Sequence, residues 1–580
     1  YSSDGSSKVL PFPFRLEIAR KLARIPSGFA ALLLLSQSNL DKYNMKLAAI
    51  AATLAATSTA APIADHVESL PGYDGVLPQM YSGFLNASAA DPAADVQLHY
   101  WFTESTNPNI TATKAPVVLW LNGGPGSSSV LGLMEEWGPL IVNATGGLSP
   151  NPYAWTQKAN VLLLESPSGV GYSYCSTSTT TGCANTDVST ARAARVAMQE
   201  FFQKFPELAS NEFYITGESY AGVYVPTLVK EILDNAPEIN MMGMAVGDPC
   251  TDNTAQKDSM DMIWYGHKNG FVAEAVFDTL WNKCGGRHPV KFMEDATSTA
   301  TATKGDMIME GKSIECIVAQ RKYLTSTSKG FSQTWLNDYI NNLDLFSPSA
   351  VVSFNQAGSL NYQLATWMMR DDVKKALHVE TSPNTQWPGP GPKWQYQSQW
   401  DACNSNPQFN ESMVDFYKNI APRLAKKGGR TIVFNGDTDP CVSYEGTRAA
   451  LATVYPEVAG GAYRPWFYNQ SAATYEFLNS KPLLFGPNLA LVDAGAQLGG
   501  MVVNYEHSLK FLTVHGSGHM VPQFRPQAAL RLLNNLLTGD RFAELMPTDA
   551  QLAAFTEDEF NAWIDQWTTS AKKEVATPAL

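Results

Sequence analysis

Phe213-Tyr214-Ile215-Thr216-Gly217-Glu218-Ser219-Tyr220-Ala221-Gly222 is the stretch from which the rest of this 580-residue chain is read. Its first four residues are apolar and β-prone. Val223-Tyr224-Val225-Pro226-Thr227-Leu228-Val229-Lys230 follows and reads as the start of a helix. Glycines at both ends of G-x-S-x-G let a strand turn sharply into a helix, leaving the Ser219 hydroxyl at the tip of a strained elbow. The helix N-terminus beneath it offers free N–H groups and a partial positive charge to a developing oxyanion. Glycine and serine are common, so the motif decides little until the serine has partners.

Strands and helices alternate around the elbow. Residues 80–85 and 96–102 are expected strands. Residues 116–121, 160–165, 242–247 and 431–434 are apolar runs of the kind buried in a parallel sheet, and 509–514 is the last. Residues 190–205 read as a helix. The pattern predicts a mostly parallel central sheet flanked by helices. Between residues 250 and 423 it loosens into helices, a low-complexity run at 297–303 and a Pro/Gly-rich segment at 388–392. That region reads as a cap inserted over the C-terminal edge of the sheet, where it would shape a pocket. The core is thus divided into 62–249 and 424–540, with a tail at 541–580 that carries two helical stretches.

A serine nucleophile needs a base, and the base an orienting acid, placed on loops after later strands. Strand 431–434 runs into Asn435-Gly436-Asp437-Thr438-Asp439-Pro440-Cys441. Strand 509–514 runs into His515-Gly516-Ser517-Gly518-His519-Met520-Val521-Pro522. The order serine, acid, histidine is the one such a sheet requires. Spacing alone does not choose Asp439 over Asp437, or His519 over His515. The two histidines also have i, i+4 metal spacing, but Gly516 and Gly518 deny them a helix. The turn Asn122-Gly123-Gly124-Pro125-Gly126 offers backbone N–H groups to an oxyanion, together with that of Tyr220. Read as a phosphate loop it would need a Gly-Lys-Ser/Thr ending, which is absent.

Composition bounds the alternatives. The 44% hydrophobic content is enough to bury a sizeable core, and a net charge of −13 argues against a nucleic-acid partner. Met45-Lys46-Leu47-Ala48-Ala49-Ile50 and the small residues that follow form a secretory signal segment, 45–61, so residues 1–44 are expected to be upstream sequence foreign to the natural protein. Five acceptor sequons, at Asn86, Asn109, Asn143, Asn410 and Asn469, fit that route. So do seven cysteines without a CxxC pair, of which Cys175 and Cys183 could close a short loop. No membrane anchor is expected.

Five motifs in order give the chain a specific resemblance. Trp120-Leu121-Asn122-Gly123-Gly124-Pro125-Gly126, Glu165-Ser166-Pro167-Ser168-Gly169-Val170-Gly171-Tyr172-Ser173, the elbow, Gly436-Asp437-Thr438-Asp439 and Gly516-Ser517-Gly518-His519-Met520-Val521-Pro522 are similar to the signatures of the serine carboxypeptidases. The resemblance spans about residues 67–537. It implies an α/β-hydrolase fold and a Ser219, Asp439, His519 triad without cofactor or metal. It implies an oxyanion hole from the Gly124 and Tyr220 amides. It assigns recognition of the substrate's free C-terminal carboxylate to Asn122, Gly123 and Glu218, with Trp120 beside them and Glu136 paired to Glu218. Two buried carboxyls in contact cannot both ionise, so one keeps its proton and donates to the substrate carboxylate. Peptide binding should then weaken as pH rises.

The resemblance also marks a departure. The family usually has cysteine after Asn-Gly-Gly-Pro-Gly, and this chain has Ser127. Cys403, similar to that cysteine's partner, is left for another mate, Cys250 being a candidate, and tethering of the Gly-rich loop is in doubt. Cys441, two residues past Asp439, is a candidate unbridged thiol near the pocket. The implied function is a secreted or vacuolar/lysosomal serine-type carboxypeptidase acting on peptides and proteins with a free C-terminus. Rival readings are an acyltransferase or esterase on the same scaffold, or a non-catalytic binding or protective protein. Acyltransferase relatives tend to carry Asp before the nucleophile, so Glu218 favours the peptidase. Monomer and homodimer stay open.

Overall fold

The computed structural model describes residues 62–91, 95–143, 145–176, 182–285, 313–330, 333–334, 360–391, 393–470 and 495–573. The expected signal segment 45–61, the preceding residues 1–44 and the low-complexity run 297–303 lie outside the described residues.

Ten strands form the main sheet: β1 Met80–Asn86, β2 Gln97–Thr103, β3 Val117–Leu121, β4 Asn160–Leu164, β5 Phe213–Glu218, β6 Met241–Gly247, β7 Arg430–Gly436, β8 Arg464–Gln470, β9 Gly495–Asn504 and β10 Leu509–Val514. Their order across the sheet is β1-β2-β4-β3-β5-β6-β7-β10-β9-β8. The six from β4 to β10 are parallel, and the flanking strands on both sides are antiparallel. This is the mostly parallel, helix-flanked sheet expected from the sequence. Strands β8 and β9 went unread there. Arg464-Pro465-Trp466-Phe467 carries at its second position a proline that suits only an edge strand, and β9 carries Gly499 and Gly500 at its kink.

Period-two alternation puts the core on both faces. Val117, Leu119 and Leu121 pack with helices α1 Asp187–Lys204, α2 Ala221–Asn235 and α3 Met413–Lys426. Val118 and Trp120 point the other way, into a second core closed by α4 Pro526–Thr538. Helix α1 begins three residues earlier than expected because Thr186 and Ser189 form a capping box. Helix α3 straddles the expected boundary at 423/424 and covers the sheet beside α2.

The segment before α3 is stitched to the core. Trp367 Nε1 donates to Pro71 O at 2.7 Å, Tyr172 Oη to Met368 O at 2.5 Å and Ser82 Oγ to Leu377 O at 2.7 Å. A satellite cluster of Ile263, Phe277, Leu280, Trp281 and Tyr323 forms a small core of its own. Disulfides join Cys175 to Cys183, Cys250 to Cys403 and Cys284 to Cys316. The Cys250–Cys403 link closes 153 residues of chain. Replacing both cysteines by alanine is expected to destabilise the fold by about 2–5 kcal/mol. An unchanged urea midpoint would show that packing alone holds the segment.

Candidate active site

The elbow is built at the end of β5. Ser219 has φ 65°, the left-handed region that non-glycine residues rarely adopt. Its amide donates to Gly247 O at 2.9 Å, and its carbonyl accepts from Gly222 N at 2.8 Å and Cys250 N at 3.1 Å, which hold the strained residue in place. The strain therefore sits on the serine itself. Gly217 serves close packing instead: a Cβ there would lie 2.3 Å from Leu121 O. The Gly-rich turn also reaches the elbow only because position 123 lacks a side chain. A Cβ on Gly123 would lie 2.3 Å from Tyr220 N. Tyr220 stands at the head of α2, where leading amides have no intrahelical acceptor. Its hydroxyl donates to Asp187 Oδ1 at 2.9 Å and accepts from Ser398 Oγ, 2.6 Å away, tying the elbow to α1 and to the segment before α3.

Without a cysteine at 127, the Gly-rich turn is tied by hydroxyls. Ser129 Oγ accepts the Asn122 amide at 3.2 Å, and Ser128 Oγ donates to the buried Glu165. Glu165 also accepts from Trp387 Nε1 at 2.9 Å, Tyr172 N at 2.7 Å and His99 Nδ1 at 2.8 Å.

Asn122 is oriented by its neighbours. Its Oδ1 accepts from Trp120 Nε1 at 2.8 Å and Gly132 N at 3.1 Å, which points Nδ2 at Glu218 Oε1, 2.9 Å away. Trp120 thus has its one polar hydrogen committed to Asn122 and acts through it. Glu218 lies at the end of β5 and Glu136 on the turn Leu133–Trp137; both are buried, and the carboxyls face one another. Glu136 Oε1 and Oε2 and Glu218 Oε2 meet no donor among the described residues. The contact is a hydrogen bond only when one acid carries a proton. Burial raises both above the ordinary carboxylate range, and for Glu218 the charges of Glu136 and Asp439 add to it. Adjacent Glu135 is also buried and raised, by burial and by Glu136. With the Asn361 amide nitrogen turned toward it, that side chain donates to both Glu135 oxygens at 2.6 and 2.8 Å.

Each candidate histidine pairs with one of the candidate acids. His515 Nδ1 and Asp437 Oδ2 are 2.8 Å apart, with the imidazole 54% exposed; His519 Nδ1 and Asp439 Oδ2 are 2.7 Å apart, at 12% and 0%. The second pair is the one whose charges act on Glu136 and Glu218 beside Ser219. Asp439 also accepts Cys441 N at 2.8 Å and Val442 N at 3.1 Å. Burial opposes its charge, but His519 and these amides hold it below the usual range. Burial likewise opposes a charged His519, and Asp439 and Glu136 outweigh it to raise the imidazole. The two histidines therefore do not converge on a cation. Asp248, Asp439 and His519 place ligand atoms within 4.8 Å of one another. Facing a carboxylate, however, His519 Nδ1 is a proton donor, not a ligand. The Cys441 thiol lies outside the three disulfides and is pushed up by burial, Asp439 and Asp248, which makes it a poor nucleophile.

The sequence profile of the serine carboxypeptidases matches residues 71–539. The chain belongs to that family. Serine carboxypeptidase 24 of Arabidopsis thaliana is 32% identical over 495 residues, covering 82% of this chain and 92% of the relative. The lysosomal protective protein of Mus musculus is 28% identical over 532 residues, covering 84% and 96%. Among solved structures, Kex1(delta)p, a prohormone-processing carboxypeptidase from Saccharomyces cerevisiae, superposes with a TM-score of 0.59 over 83% of this chain and 97% of its own, at 19% identity. The chain thus has the α/β-hydrolase fold of a hydrolase family of the serine carboxypeptidase type.

Of the five sequon asparagines, Asn86, Asn109, Asn410 and Asn469 are exposed. Asn143 is half-buried, and its Nδ2 donates to Ser149 Oγ at 3.2 Å. Sequence reading passed over Asp248 and Glu135. Asp248 directly follows a buried parallel strand, which is a readable signal; the burial of Glu135 depends on the turn carrying it.

The raised acids have a consequence for stability. Glu135, Glu136, Glu218 and Asp248 all keep protons to higher pH in the folded chain than in the unfolded one. Above the ordinary carboxylate pKa of about 4 the folded chain binds more protons, so stability falls as pH rises. The thermal midpoint is expected to drop between about pH 5 and pH 8, and less steeply in Glu218→Gln. A flat profile, or one unchanged by the substitution, would mean these acids ionise normally.

Proposed function

We propose that the protein is an active serine carboxypeptidase that removes C-terminal residues from peptides and proteins, favouring the free acid most at acid pH. One observation carries the reading. Beside Ser219 lie two facing, buried carboxyls with no lysine or arginine paired to them among the described residues, three of their oxygens unmatched by donors there, and the Asn122 amide oriented onto the pair. A proton shared by Glu136 and Glu218 turns the pair into a donor for an incoming carboxylate. Asn122 and the Gly123 backbone add N–H groups, and Trp120 holds Asn122 in register.

Chemistry follows from the residues beside the clamp. His519, with Nδ1 engaged by Asp439, takes the Ser219 proton on Nε2 as the oxygen attacks the last peptide carbonyl. Asp439 stabilises the imidazolium. The Gly124 and Tyr220 amides receive the oxyanion. His519 protonates the leaving amine, and water then attacks the acyl-enzyme by the reverse proton path. Three disulfides and exposed sequons suit the secretory route to a vacuole, a lysosome or the outside, and the lysosomal destination agrees with the name of the mouse relative. No helix among the described residues is long and apolar enough to cross a membrane.

The test compares kcat/KM for blocked dipeptides and their C-terminal amides from about pH 4 to about pH 8. His519 titrates in both reactions and cancels in the ratio. The free-acid preference is expected to fall as pH rises, to shrink in Glu218→Gln, and all turnover to fall at least about a thousandfold in Ser219→Ala. A pH-independent ratio near one would leave an esterase or acyltransferase. No turnover of either substrate by the intact chain would favour a binding protein.

A further inference from the structure

Asp248 directly follows β6 and is held by the strand that leads to the acid loop. It has φ 43°, again left-handed in a non-glycine residue. Its amide donates to Phe434 O at 2.7 Å. Its Oδ1 accepts from Gly436 N at 2.9 Å and, at 3.4 Å, from Asn435 Nδ2. The residue is wholly buried, and Oδ2 meets no donor among the described residues. An oxygen of Asp248, one of Asp439 and a nitrogen of His519 lie within 4.8 Å of one another.

We propose that Asp248 is a positioning residue that keeps a proton on Oδ2 and donates it, as a hydrogen bond, to the carboxylate of Asp439. The inference rests on the triad reading above. Two carboxyls this close cannot both be charged in a buried site. Donors decide which one is. Asp439 accepts from two amides and an imidazole, whereas Asp248 has N–H groups on one oxygen only. The titratable groups acting around it are Asp439 and Cys441 after β7, His519 after β10 and Glu218 at the end of β5. Of these only His519 can be positive, and it already faces Asp439. Burial, then the charges of Asp439 and Glu218, push Asp248 well above the ordinary range.

The consequence lies in the base. A hydrogen bond from Asp248 withdraws charge from Asp439 and weakens its pull on the imidazole proton. His519 then stays neutral, and able to accept the Ser219 proton, to lower pH than it would beside a bare carboxylate. That matters for an enzyme whose carboxylate clamp works best in acid.

The test follows the rate at which an alkyl fluorophosphonate labels Ser219 in the full chain, from about pH 4 to about pH 9. Ser219 Oγ bonds to phosphorus, fluoride leaves and His519 takes the proton. The probe has no carboxylate, so the clamp is not read. Wild-type labelling should rise with pH as His519 loses its proton. In Asp248→Ala the midpoint should move up by about one unit, and Asp248→Asn, whose Nδ2 can donate in the same place, should bring it back. An unmoved midpoint in the alanine variant, or an equal shift in both variants, overturns the inference. Should the alanine variant not fold, infrared difference spectra of wild type against Asp248→Asn decide. Loss of a protonated-carboxyl band supports the proposal, and its persistence overturns it. Failure of the wild type to label at any pH overturns the triad reading itself; labelling with an unmoved midpoint overturns only the role of Asp248.

Discussion

Two carboxyl groups buried against one another can share one negative charge but not carry two, and much of this site answers to that constraint. Glu136 and Glu218 come from a turn and a strand end that the Gly-rich loop brings together. The contact works only if Asn122 is fixed between Trp120, Gly132 and Glu218. It also works only if nothing wider than glycine stands at 123, where the loop touches the elbow. A cation at this place would ionise both acids and end their use as donors. Trp120, which holds Asn122, packs with Trp137 and Trp155 at ring centroids 5.4–5.8 Å apart.

Five buried acids lie in or beside this site, and their surroundings sort them. Asp439, with two amides and His519, is the acid held in its charged form. Glu136, Glu218 and Asp248 have oxygens without donors and are raised, and Glu135 is raised by burial and the charge of Glu136. One environment therefore gives opposite protonation states to residues of the same chemistry, which is how a site can hold a general-base relay beside a hydrogen-donating acid. The exposed His515–Asp437 pair repeats the relay's chemistry without its burial. It joins the acid and histidine loops: Gly516 N donates to Asp437 Oδ1 at 2.7 Å.

The architecture was legible because its signals are periodic and local. Apolar runs such as 116–121 and 160–164 are what a sheet covered on both faces requires, and the order elbow, acid loop, histidine loop follows from the sheet. The choice within Asp437/Asp439 and His515/His519 was not legible from spacing, since both pairs form and only burial distinguishes them. Strands β8 and β9 escaped because an edge strand tolerates Pro465 and a kinked one Gly499 and Gly500. The serine clamps on the Gly-rich turn escaped because hydroxyls carry no sequence periodicity. Asp248 escaped for another reason: a lone acid after a strand looks like an ordinary loop residue until its neighbours are known. The pairing of Cys250 with Cys403 was reachable through the resemblance, whereas Cys284–Cys316 had no signal in spacing.

The central claim is that Glu136 and Glu218 share a proton. Neutron diffraction from deuterium-exchanged crystals at about pH 5 would locate it directly, because hydrogens are not otherwise seen at ordinary resolution. The account predicts one deuteron between the two carboxyls and none on Asp439. Two bare carboxylates bridged by a cation or by water, or a deuteron on Asp439 with His519 neutral, would contradict it.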